Sequence, residues 1–72
     1  MDRLLLKSLN EQIPVEMIYI SSSKQISQRK ILVTHINDTT IRAYCYLRKQ
    51  SRLFKIENIL SVMAIKQFRE LG

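Results

Sequence analysis

Seventy-two residues with 46% hydrophobic content, 25% charged content and a net charge of +6 make one small globular domain and exclude a disordered chain. A single cysteine excludes an internal disulfide, and no cysteine–histidine set has zinc spacing. The apolar run near the start, Leu4–Leu6, is too short for a signal peptide or a membrane span, so a cytoplasmic protein with no membrane partner is expected.

Taken in chain order, Asp2 caps a short helix within residues 1–13 whose Leu5 and Leu9 stand four apart, with Leu4 and Leu6 alongside. Pro14 ends it, because proline lacks an amide hydrogen and restricts Ile13 to extended conformations. "VEMIYI" reads as a strand from Val15 to Ile20, and the serines of "SSSKQ" favour a turn. "ISQRKILVTHI" is a second strand, and Asn37-Asp38 turns it into a third, "TTIRAYCYLR". "RLFKI" follows as a fourth strand, "EN" breaks it, and "ILSVMA" is a fifth. Ile65, Phe68 and Leu71 then space a final helical turn, closed by Gly72. The expected architecture is mainly β within an α+β class: a helix over 1–13, a small five-stranded barrel or strongly bent sheet over 15–64, and a helical segment over 65–72.

The charge is localised. Residues 24–55 hold eight basic side chains and one acid, Asp38, whereas the flanks hold four basic and five acidic ones. Such a concentration favours an anionic partner over general solubility. Within it, "IRAYCYLR" alternates with period two. Ile41, Ala43, Cys45 and Leu47 point to one side, a core, where Cys45 reads as a small reduced core residue. Arg42, Tyr44, Tyr46 and Arg48 point to the other. Tyrosines that stack bases and arginines that hold phosphates are the components of single-strand recognition. The same alternation also describes a solvated outer face, because Tyr and Arg sit comfortably in strands. Phe54, Ile56, Ile59 and Val62 complete the expected core.

Nothing in the chain recommends catalysis. His35, Asp38 and Glu57 are isolated on a strand end, a turn and a strand break, without the clustered carboxylates a magnesium-dependent nuclease needs. Ser21, Ser22 and Ser23 have no triad context. No enzyme, metal or cofactor is expected. The leucines of the first helix supply more apolar surface than one end of so small a domain covers, which leaves packing on the barrel and a homodimer or partner interface both open.

The stretch from Val15 to Met63 resembles the WYL domain, a bacterial regulatory module. The matching residues are Tyr19; Arg29 and Ile31; Ile41, Ala43 and Tyr44; then Arg52, Phe54, Ile56 and Ile59. Val33, Thr39, Thr40, Lys55 and Asn58 stand where the family carries a proline, two aromatics and two arginines. The resemblance implies an Sm-like (SH3-type) barrel and, in this chain, a free-standing module. It also implies that Arg29, Arg52 and Lys55 extend the basic face, with nucleic acid or a nucleotide as ligand. The expected function is thus non-enzymatic regulatory binding of single-stranded nucleic acid or a nucleotide by Arg29, Arg42, Tyr44, Tyr46, Arg48, Arg52 and Lys55. The alternative is an interaction or self-assembling module that docks on a larger regulator.

Overall fold

The computed structural model describes residues 2–65. Helix α1 (Arg3–Glu11) is followed by strands β1 (Val15–Ile20), β2 (Ile26–Ile36), β3 (Thr40–Cys45) and β4 (Gln50–Lys55), a short 3-10 turn (Ile56–Asn58) and β5 (Ile59–Ala64). The strands form one antiparallel sheet in the order β4-β3-β2-β1-β5. Asp2 caps the helix as its sequence suggests, its carboxylate accepting the Leu4 N–H at 2.8 Å. The helical segment expected over 65–72 falls, beyond Ile65, outside the described residues.

What shapes the sheet is β2. Its first half pairs with β1 (Val15 opposite Ile31, Ile20 opposite Ile26) and its second half with β3 (Cys45 opposite Ile31, Ile41 opposite Ile36). Tyr19 lies opposite Ser27 near one end of β2, whereas Lys55 pairs with Thr40, just beyond the other end. On a straight β2 the two positions would lie about 30 Å apart, at about 3.3 Å per residue. Instead the Tyr19 hydroxyl accepts the Lys55 N–H at 3.1 Å, and the Tyr19 and Phe54 rings meet edge to face with centroids 5.1 Å apart. The sheet therefore bends back on itself. Irregularities in the ladder fall where bending needs them, between Val33 and His35 on β2 and between Ile18 and Tyr19 on β1.

Between the two halves lies the core: Leu5, Val15, Met17, Ile31, Val33, Ile41, Ala43, Cys45 and Phe54. Ile56, Ile59 and Val62 pack against it half-buried. Leu47 departs from the expected pattern. The third strand ends at Cys45, residues 46–49 turn, and Leu47 is 69% exposed rather than in the core. Period-two reading fails once the chain leaves the ladder. Among the described residues no ladder joins β4 to β5, so the closed barrel expected from the sequence is here one open, bent sheet with both of these strands as edges.

Helix α1 closes one mouth of the bent sheet. Leu5 is buried and Leu4 and Leu9 pack partly, while Leu6 faces outward at 40% exposure. Ser8 is fully buried and its hydroxyl accepts the Val33 N–H at 3.0 Å. β1 begins opposite Ile31, two residues short of Val33, so the sheet offers that amide no strand and the helix supplies the acceptor. Ser8→Ala should cost about 1–3 kcal/mol, the penalty for orphaning a buried donor. Urea denaturation of the two proteins measures it, and an unchanged midpoint would show that water replaces the hydroxyl.

Candidate functional site

A cavity lies where β1 and β4 approach each other across the bend. On β4, residues directly across from the inward-facing Ile41, Ala43 and Cys45 are Phe54, Arg52 and Gln50, so Arg52 shares the core face. Arg29 lies opposite the buried Met17 and shares that face too. Together Arg29, Arg52 and Lys55 line a cavity of about 490 Å³ with Tyr19, Ser21 and Ser22, and its remaining wall is Thr40, Leu53, Phe54 and Asn58. Among the described residues, three cations and no carboxylate line it.

Two of its donors are fixed in advance. The Arg29 Nε–H donates to Ser27 Oγ at 3.1 Å, and Nη1 donates to Cys45 Sγ at 3.7 Å. These bonds hold the guanidinium plane while leaving its remaining N–H groups uncommitted by them. Tyr19 uses a lone pair to accept the Lys55 N–H, which keeps its own O–H hydrogen available to a ligand. The backbone adds a third donor. Ile56 donates to Thr39 across the β3–β4 ladder, so by alternation the N–H groups of Ser51, Leu53 and Lys55 face away from β3, and Leu53 lines the cavity.

The sequence-expected site residues divide between two faces. Arg29, Arg52 and Lys55 converge on the cavity. Arg42 and Tyr44 lie on the outer face, across from Leu53 and Ser51. Tyr46 and Arg48 sit in the turn after β3, where the Tyr44 and Tyr46 rings meet edge to face at 5.2 Å and Lys30 Nζ lies 6.0 Å above the Tyr46 ring. Lys49 closes that turn in the left-handed region, φ 56°, its N–H bonded to the Cys45 carbonyl at 2.7 Å. Tyr19, Ser21, Ser22, Thr40 and Asn58 were not among the expected site residues. Tyr19 was visible only through the family motif, and the serines read as turn formers. Their convergence depends on the bend in β2, which no local pattern encodes.

Cys45 lies beneath Arg29 with no exposed surface. Burial pushes its thiol up, but hydrogen bonds from the Arg48 backbone, the Arg29 guanidinium and the Leu47 backbone, with the Arg29 charge, outweigh it and hold the thiol below its ordinary value. Deprotonation is therefore easier in the folded state than in the unfolded chain. Stability gained this way is lost as pH falls through the lowered pKa and is full above the unfolded one. Relative to Cys45→Ala, the native protein should gain stability as pH rises through the interval between those values, as read by urea midpoints. A flat difference would remove the effect.

Among the described residues no group of three or more His, Cys, Asp or Glu side chains is placed to hold a metal ion, and no helix is long and apolar enough to cross a membrane. Compared with protein-family models, curated proteins and solved structures, the chain finds no match.

Proposed function

We propose that the chain is a non-enzymatic binding module of WYL type, its bent sheet an Sm-like barrel left open along one seam, and that the cavity takes the phosphate of a nucleotide or single-stranded nucleic acid. The observation that carries this reading is the acid-free convergence of Arg29, Arg52 and Lys55 around the Tyr19 hydroxyl. The preset donors of Arg29 and Tyr19 suit a compact anion, because little of their side-chain freedom is lost on binding. A cavity of about 490 Å³ also lies within the usual range for small-ligand sites.

The test is a ¹H–¹⁵N titration with AMP, adenosine and a short single-stranded DNA at two salt concentrations. AMP and the DNA should shift Tyr19, Arg29 and Arg52–Lys55, weakly at high salt, and adenosine should leave them unmoved. Equal responses to AMP and adenosine, or none at low salt, would remove the phosphate reading. A second reading, a protein-interaction or self-assembling module, is favoured by the two sheet edges that β4 and β5 form among the described residues. Sedimentation that stays monomeric at high concentration counts against its self-assembling form.

A further inference from the structure

The cavity does not stop at the concave side of the sheet. Leu53 and Lys55 share the outer face with Arg42 and Thr40, their partners across the ladder, yet both line the cavity with the inward-facing Arg52 and Phe54. It therefore reaches over the edge of β4, a single strand wide. On the outer side Asp38 and Glu57 lie beside Thr40 and Lys55, and the route leads away from them. Arg42 is Leu53's direct neighbour, Tyr44 is next along β3 with Leu32 opposite it on β2, and Lys30 follows with its ammonium over the Tyr46 ring. Glu16, opposite Lys30 on β1, is the carboxylate at its far end.

Resting on the phosphate reading above, we infer that the site takes a single strand several nucleotides long rather than a free nucleotide: one phosphate sits in the Arg29–Arg52 cavity, and the chain passes over the β4 edge onto the Arg42–Tyr44–Lys30–Tyr46 surface. Each lateral step between neighbouring strands is about 4.8 Å, so crossing from β4 to β2 covers about 10 Å. About four nucleotides, the low end of single-strand site sizes, span the cavity and this crossing. Aromatic rings set among cations favour a nucleic acid over an acidic polypeptide, because bases stack on rings and carboxylates do not. Arg42 and Lys30 are exposed and Tyr46 is 39% exposed, so a strand can reach them from solvent.

Fluorescence anisotropy with a labelled 5′-phosphorylated hexathymidylate, competed by thymidine 5′-monophosphate, by unlabelled hexamer and by poly-L-glutamate, tests this. The hexamer should bind at least about tenfold more tightly than the monophosphate, with a steeper salt dependence, since added phosphate contacts multiply in affinity and release more counterions. A Lys30→Gln/Arg42→Gln pair should erase that gain and weaken monophosphate binding far less than hexamer binding. Tyr46→Ala should weaken the hexamer alone. If the hexamer binds no better than the monophosphate, or the neutralised pair loses nothing, the outer route is wrong while the cavity reading stands. If neither ligand binds the native protein at low salt, the cavity reading fails and takes the route with it. Hexamer binding insensitive to Tyr46→Ala but fully displaced by poly-L-glutamate would point to an acidic polypeptide and overturn the nucleic-acid assignment.

Discussion

Arg29→Ala is expected to weaken AMP binding roughly ten- to a hundredfold, the range of a charge-assisted hydrogen bond, about 1.5–3 kcal/mol. Arg52→Ala should cost less than about tenfold, nearer the value of an exposed ion pair. Both residues line the same cavity and carry the same charge, so the difference comes from their surroundings. Arg29 is half-buried and held by Ser27 and Cys45, and its fork is in place before a ligand arrives. Arg52 is exposed on an edge strand and must give up rotamer freedom to bind. Arg29→Lys should rescue little, because an ammonium cannot hold Ser27, Cys45 and a phosphate in one plane. Calorimetry at low salt, alongside thermal melts that confirm folding, measures all three. A larger loss for Arg52→Ala than for Arg29→Ala would show that charge, and not preorganisation, dominates the site.

That asymmetry is invisible in the sequence, and the reason is physical. Alternation within one strand reports which residues share a face, so the inward placement of Ile41, Ala43 and Cys45 and the outward placement of Arg42 and Tyr44 were legible. So were the Asp2 cap, the turn at Asn37-Asp38 and the five strands in order, because each rests on local chemistry. The relation between strands is different. Arg29 and Arg52 sit on the inward phase of β2 and β4, opposite in facing to the Tyr/Arg series of β3, and only the register shows it. Extending the basic face of β3 to Arg29 and Arg52 follows from the family resemblance and ignores phase. Leu47 was misplaced for a related reason: the ladder ends at Cys45, and the turn that follows has no period.

Phe54 ties the fold to the cavity, and its removal should have the largest effect on stability. It is the one buried residue of β4, at 3% exposure, and it meets Tyr19 across the bend. Phe54→Ala should cost about 3–5 kcal/mol, the usual range for a buried phenylalanine. A domain of this size has about 4–11 kcal/mol in all, at 0.05–0.15 kcal/mol per residue, so the variant should be close to unfolding at room temperature. Two milder changes separate the ring's roles. Phe54→Leu keeps most of the volume and should cost about 1.5 kcal/mol or less, yet it releases the edge-to-face partner that orients Tyr19, so AMP binding should fall in a folded protein. Tyr19→Phe keeps the ring pair and removes only the hydroxyl. Its backbone partner, the Lys55 N–H, is solvent-accessible, so stability should drop by less than about 1 kcal/mol while binding loses one donor. Urea denaturation and AMP titration on the same three proteins give both axes. Full stability in Phe54→Ala would mean that β4 is not held across the bend by this ring, and the cavity, which exists only because β1 and β4 meet there, would lose its physical basis.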